Sequence, residues 1–347
     1  MKKTVLTVTG IRPDFIRMSS IFKELDIHFN HILIHTGQHY DNLLSGVFFE
    51  ELNIRKPDFI LETGKNGGSH YNQLSYLSVA IIELIKNNNL KPDLILFLGD
   101  SNSVCAALPL KKEGYRIGHI EAGMRSFDKR MLEEINRTVC DHCSDILFVY
   151  HEDYKQYLFN ENIKENVFVV GNTIVEVCKP YLEITKTPKR KNMILLDIHR
   201  PENFKYPKRM KAIIQYANEC SKRYNLPVKM LKFYYLNNFD LDLGVIELID
   251  LMPYKKYLET VYHCLFLISD SGTGQEEPAL FKTPVIVPRE FTERPQSVKA
   301  NCSFMLDLNS FEPSVDYLES KLNMDTSWLG DGNTSKLIIN HLKTFTT

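Results

Sequence analysis

Hydrophobic and polar positions alternate along this chain in two rhythms. Residues 4–9 form a β-branched, mostly apolar run ending at Gly10. An amphipathic stretch follows, with Phe15, Met18, Ile21, Phe22 and Leu25 at helical spacing. The same alternation predicts strands at 31–35, 94–98, 117–120 and 146–150. Helices are predicted at 74–86, from 104 through 110, and onward from Glu133. Strands that alternate with helices pair in parallel through right-handed crossovers, and continuous apolar strands are covered on both faces. A polar, basic, proline-containing stretch at 185–192 reads as a linker. The pattern then restarts: strands at 193–197 and 265–269, a helix around 210–223, a last strand at 284–287 and a final helix at 335–345. The expectation is an α/β protein of two Rossmann-like doubly wound domains facing one another across a cleft, with boundaries at 1–184 and 185–330.

The bulk numbers agree with this picture. The chain has 347 residues, 44% hydrophobic and 24% charged, an ordinary globular balance. Its net charge of −1 offers no global field for nucleic acid. No apolar run approaches the ~20 residues that span a bilayer, and the start has no signal-peptide pattern. The seven cysteines are scattered and odd in number, which suits reduced thiols in a cytoplasmic protein. Cys140-Asp141-His142-Cys143 lacks the second ligand pair of a zinc site, so the cysteines read as structural.

In doubly wound sheets, ligands bind beyond the carboxyl ends of the strands. The loops there are Gly10-Ile11-Arg12-Pro13, Thr36-Gly37-Gln38-His39, Gly99-Asp100-Ser101-Asn102, Glu121-Ala122-Gly123-Met124-Arg125, His199-Arg200-Pro201-Glu202 and Asp270-Ser271-Gly272-Thr273-Gly274. The last has the small residues and helix-start N–H groups that suit phosphate, yet it is neither a Walker loop nor a dinucleotide fingerprint. An N-cap with flexible glycines is the alternative reading. Glu277 can accept hydrogen bonds from ribose. Arg12 can clamp a phosphate, and Arg17 and Arg125 can extend the same positive lining. Asp100, Glu121, Glu133 and Glu134 would oppose an anionic ligand unless they exchange protons with it, and His199 joins them from the second domain. A structural hydrogen-bonding role stands beside catalysis for each of these carboxylates.

Taken in order, the motifs resemble the non-hydrolysing UDP-N-acetylglucosamine 2-epimerase family. They are Gly10-x-Arg12-Pro13, Gly99-Asp100, His119-x-Glu121-Ala122-Gly123-x-Arg125, Glu133-Glu134-x-Asn136-Arg137, Gly171-Asn172, His199-Arg200, Asp270-Ser271-Gly272-x-x-Gln275-Glu276-Glu277 and Thr292-Glu293-Arg294-Pro295. The resemblance implies a glycosyltransferase-B arrangement with an interdomain active site, a C-terminal helix (331–347) returning to the first domain, and a homodimer. It implies inversion at C2 of a UDP-2-acetamido sugar by anti elimination of UDP, through a 2-acetamidoglycal, and re-addition, with no cofactor and no metal. Asp100, Glu121, Glu133 and His199 match its catalytic positions. Arg12, Arg125, Glu134, Arg137, Arg200, Ser271, Gly272, Glu277 and Arg294 match substrate-binding ones, with Ser271 on phosphate and Glu277 on ribose.

The segments His35-Thr36-Gly37-Gln38-His39-Tyr40-Asp41 and Ser126-Phe127-Asp128-Lys129-Arg130-Met131 look like the branch acting on UDP-2-acetamido-2,6-dideoxy-L-hexoses, as in UDP-N-acetyl-L-fucosamine synthesis. Phe127 and Met131 would give the 6-deoxy carbon an apolar wall. UDP-N-acetylglucosamine itself is the alternative substrate; a glycosyltransferase and an inactive nucleotide-sugar binder are more distant alternatives. One departure stands out: Phe233-Tyr234-Tyr235-Leu236-Asn237 replaces the family's His-Pro or His-Leu-Asn segment.

Overall fold

Every residue of Leu94–Leu98, Ile117–Ile120, Ile146–Val149 and Ile194–Asp197 is buried, as a parallel strand covered on both faces requires. The computed structural model describes residues 2–37, 46–63, 70–238 and 241–346. Residues 38–41, singled out by the sequence reading, lie outside them.

The chain divides into two compact units, Met1–Val177 with Leu329–Thr347, and Cys178–Trp328. In unit 1 the strands are β1 (Thr4–Thr9), β2 (Asn30–His35), β3 (Phe59–Ile60), β4 (Leu94–Leu98), β5 (Ile117–Ile120), β6 (Ile146–Val149) and β7 (Val167–Val169). They form one parallel sheet in the order β3-β2-β1-β4-β5-β6-β7. Unit 2 holds β8 (Ile194–Asp197), β9 (Val228–Leu231), β10 (Glu247–Ile249), β11 (Leu267–Ser269), β12 (Val285–Val287) and β13 (Ser303–Met305). Their order is β10-β9-β8-β11-β12-β13, again parallel throughout. Both are Rossmann-like. The direction of winding reverses between β1 and β4 and between β8 and β11, and these switch points are where such sheets hold ligands.

The helix Arg12–His28 carries the predicted apolar stripe inward: Phe15, Met18, Ile21, Phe22 and Leu25 are all buried. Pro13 lies in its first turn, where the missing N–H costs nothing. The helix Thr334–Phe345 packs against it within unit 1. Asn172 N donates to Leu329 O at 2.8 Å, and Ser335 N donates to Glu176 Oε1 at 2.8 Å, which anchors the start of that helix.

Several local expectations need correction. The helix expected from 104 is a 3-10 turn, Asn102–Ala106, followed by a short helix, Ala107–Lys112. The strand at 284–287 is not the last, because β13 follows it at the sheet edge. The polar stretch at 185–192 begins inside a 3-10 segment, Lys179–Lys186. Among the described residues no helix is long and apolar enough to cross a membrane.

Candidate active site

The switch point of unit 1 is stitched by one buried carboxylate. Asp14 Oδ2 accepts from Gly10 N at 2.9 Å and Ile11 N at 3.1 Å, and from Ser101 Oγ at 3.3 Å. It therefore ties the loop after β1 to the loop after β4. Burial pushes the Asp14 carboxyl up to about 6, against the pull of Arg17. Arg12 opens the helix just beyond this junction and is half-buried.

Glu121 follows β5 with φ 67°, a left-handed conformation that a glutamate rarely adopts. Its Oε2 is ion-paired with Arg17 Nη1. Arg17 Nη2 also lies 3.7 Å from Asp14 Oδ1. Burial works against the charge on Arg17, but Glu121, with Tyr150 and Asp14 behind it, raises its pKa above the usual value. Gly99 is required here: at φ +72° a Cβ would stand 2.9 Å from Arg17 Nη2. Next along β4, Asp100 is ion-paired with the fully buried Arg137. Asn136 Nδ2 donates to Asp100 O at 3.0 Å. Asp100 and Glu121 thus stand at the ends of adjacent strands, each ion-paired with a buried arginine.

Glu133 and Glu134 occupy the first turn of the helix Leu132–Cys143, where negative charge is favoured. Their roles separate. Glu133 is half-buried. Glu134 is buried and clamps the preceding loop, accepting from Ser126 N at 2.9 Å, Ser126 Oγ at 3.0 Å and Phe127 N at 3.0 Å. Phe127 is held at φ 58° with 70% of its surface exposed, its ring edge-on to Tyr157 at 5.0 Å. Met131 is buried.

Arg125 lies beneath this rim. It is 2% exposed, 2.7 Å from Asp141 Oδ2, and bonds Glu161 through Nε at 2.8 Å and Nη2 at 2.7 Å. Asp141 Oδ1 also faces His119 Nδ1 at 2.6 Å, while His119 Nε2 lies 2.8 Å from Gly99 O. Both partners only accept hydrogen bonds, so both ring nitrogens carry protons and His119 is an imidazolium. Burial opposes that charge, but Cys140 and Asp141 outweigh it and raise the pKa well above the ordinary value. Cys140 and Cys143 belong to the apolar core beside β5. Among the described residues no group of three or more His, Cys, Asp and Glu is placed to hold a metal ion.

Unit 2 repeats the stitching. Asp270, after β11, accepts from His199 N at 3.0 Å, Arg200 N at 3.1 Å and Asn203 Nδ2 at 2.9 Å, tying down the loop after β8. His199 keeps 33% of its side chain exposed, and its Nδ1 is 3.1 Å from Asp197 Oδ1. Burial opposes its protonation, but Asp197 and Asp270 prevail and raise its pKa. Arg200 is half-buried beside it. The helix expected after β11 is slight: a 3-10 turn, Thr273–Gln275, then Glu277–Leu280.

Ser271 is half-buried in that loop, its Oγ 3.2 Å from Thr273 Oγ1. Gly272 has no room for a side chain, since a Cβ would lie 2.5 Å from Arg294 Nη1. Arg294 is itself buried and spent on Glu276 Oε1 and Glu293 Oε1, both at 2.6 Å. Glu277 is buried and accepts from Tyr254 Oη at 2.6 Å. Sequence reasoning missed Asp14, Asp141, Asp197, Tyr254 and Tyr257. Only Asp197 had a local signal, as a carboxylate ending an otherwise apolar strand two residues before His199.

Each switch point therefore has its own chemistry. Unit 1 presents arginine-paired carboxylates at two strand ends, the group type that accepts protons. Unit 2 presents a histidine held toward its charged form beside a small-residue loop, fit for phosphate oxygens. Comparison with known proteins points the same way. A family model described as UDP-N-acetylglucosamine 2-epimerase matches residues 23–343. The chain is 35% identical to a UDP-N-acetylglucosamine 2-epimerase of Methanococcus maripaludis, with 96% of each chain covered. It is 30% identical to the UDP-2,3-diacetamido-2,3-dideoxy-D-glucuronate 2-epimerase of Pseudomonas aeruginosa, covering 97% of this chain and 99% of that one. The crystal structure of the Methanocaldococcus jannaschii UDP-GlcNAc 2-epimerase, in complex with UDP-GlcNAc and UDP, superposes with a TM-score of 0.90 at 30% identity, covering 98% of this chain and 99% of that one.

Proposed function

The chain belongs to the UDP-N-acetylglucosamine 2-epimerase family of isomerases, and we propose that it inverts C2 of UDP-N-acetylglucosamine. A carboxylate takes the C2 proton while the bond from C1 to the diphosphate oxygen breaks, its electron pair leaving with UDP. The product is a 2-acetamidoglycal. UDP adds back at C1 as a proton reaches the opposite face of C2. Unit 1 supplies the proton-transfer groups, Asp100, Glu121 and Glu133. Unit 2 holds the nucleotide, with Ser271 on phosphate, Glu277 on ribose and His199 on the departing diphosphate. The observation that carries this reading is the placement of Asp100 and Glu121 at the ends of neighbouring strands, each paired with a buried arginine. Arg125, Arg137, Glu134 and Arg294 serve the site from beneath through the ion pairs and loop bonds described above, while Arg12 and Arg200 border the ligand.

The relatives' names favour UDP-N-acetylglucosamine over the 6-deoxy-L-hexose expectation. The second substrate class keeps one observation in its favour, the exposed Phe127 ring on the loop before Glu133. Proton NMR in D2O separates the two. The reading expects the C2 proton signal of UDP-N-acetylglucosamine to vanish as its epimer appears. Exchange only with a UDP-2-acetamido-2,6-dideoxy-L-hexose moves the substrate to that class, and exchange with neither removes the proposal.

We also infer a homodimer. Tyr76 and Val79 on the helix His70–Asn87, Leu108 on Ala107–Lys112, and Leu132 and Ile135 on Leu132–Cys143 are exposed apolar side chains on neighbouring helices of unit 1. Light scattering after size exclusion tests this, and a monomer at micromolar concentration rejects it.

A further inference from the structure

We propose that Asp197 and Tyr257 are positioning residues for His199, forming a hydrogen-bonded chain that turns its Nε2 toward the substrate. Resting on the reading of His199 as the group facing the diphosphate, the inference concerns how that group is set rather than which reaction occurs.

The chain lies wholly within unit 2. Tyr257, on the helix Tyr254–His263, donates from Oη to Asp197 Oδ2 at 3.2 Å. The other oxygen, Asp197 Oδ1, accepts from His199 Nδ1 at 3.1 Å. A carboxylate can only accept, so the Nδ1 proton is fixed on the Asp197 side. Nε2 is then the nitrogen left to serve a ligand, and the one-third exposure of the side chain gives it access. Asp197 is 5% exposed, so without a second donor its carboxylate would be poorly satisfied. Burial keeps the Tyr257 hydroxyl protonated well beyond the usual phenol range, so it acts as a donor at any working pH.

The other groups around His199 are consistent with a positioned cation. Asp270 Oδ1 lies 3.7 Å from Nδ1 and adds negative charge, while the neighbouring Arg200 opposes it. The Phe233 ring packs against the imidazole at a centroid distance of 5.3 Å and a tilt of 41°. The Tyr235 hydroxyl donates to Ile198 O, the carbonyl just before His199, and Phe204 stacks on Tyr235 at 4.3 Å. The aromatic segment standing where the family carries a histidine thus braces the backbone and ring of His199, while Asp197 and Tyr257 set its protons.

The test follows the histidine Cε1–H resonances of the full chain by NMR between about pH 5 and 10. His199 is identified by the peak that disappears in His199→Gln. Asp197→Asn removes the charge, so the His199 titration should fall by about one pH unit or more. Tyr257→Phe leaves Asp197 less stabilised and more basic, so the titration should rise. These opposite displacements are not produced by a general loosening of the fold. In turnover, Asp197→Asn should lower kcat for C2 exchange about tenfold. An unmoved His199 titration in folded Tyr257→Phe overturns the proposal, even if Asp197→Asn does not fold. If no sugar exchanges its C2 proton, the NMR titration still reads the hydrogen-bonded chain, so the two readings fail separately.

Discussion

Arg17 and Glu121 form an ion pair inside unit 1 in which neither side chain is more than 5% exposed. Such a pair is a commitment: removing one charge strands the other where water cannot reach it. Glu121 accordingly has a duty toward Arg17 in addition to the one proposed for it toward the substrate.

Glu121→Gln should therefore abolish C2 proton exchange and also lower the stability of unit 1. The stability cost falls at or below about 3–5 kcal/mol, because Asp14 remains near Arg17. UDP binding, assigned to unit 2, should persist by calorimetry. Undiminished exchange in D2O would remove Glu121 from the reaction.

His119 predicts a pH dependence of stability. Its folded pKa is raised, so its contribution is complete below the unfolded histidine titration and is lost as pH rises through the folded value. Thermal melts should show unit 1 weakening toward alkaline pH. His119→Gln should flatten that slope and cost stability at the low end of about 3–5 kcal/mol, since Arg125 still faces Asp141. An identical slope in both proteins would show that His119 is neutral in the fold.

Gly272→Ala tests the loop beyond β11. The added methyl would meet Arg294 Nη1 at 2.5 Å, and Arg294 cannot retreat without releasing Glu276 and Glu293. The expected cost is about 1–3 kcal/mol of stability together with weakened UDP binding, both read by thermal shift with and without UDP. A variant as stable as the parent would mean that the guanidinium has another place to go.

Phe127→Gly relieves a left-handed backbone that only glycine adopts without strain, worth about 1 kcal/mol. If the ring meets the sugar, kcat/KM should fall while the melting temperature holds or rises. Unchanged kcat/KM for both substrate classes would take Phe127 out of recognition.

The central strands were legible in the sequence, and the edges were not. β4 and β5 are buried throughout, and apolar runs announce them. By contrast β3, β10 and β13 lie at sheet edges with partly exposed residues, so their patterns never become continuous. β9 is interrupted by Lys229, which is only half-buried. For the site, loop position pointed to Asp100, Glu121, His199 and Ser271. It could not tell an arginine that faces a ligand from one spent internally. Arg125, Arg137 and Arg294 look alike in sequence to Arg12, yet each is buried against carboxylates far away along the chain. The pairing of Asp197 with Tyr257 was invisible for the same reason, since the two lie 60 positions apart.

The bond from Ser335 to Glu176 spans 159 positions and closes unit 1 with the helix that follows unit 2 in the chain. During synthesis, therefore, the ribosome delivers all of unit 2 before unit 1 receives its last helix. A nascent chain stalled beyond Trp328 would carry a unit 2 able to fold while the helix Arg12–His28 still waits for its partner. Unit 1 is thus begun first and finished last, and its core stays open for the whole time that unit 2 is being made.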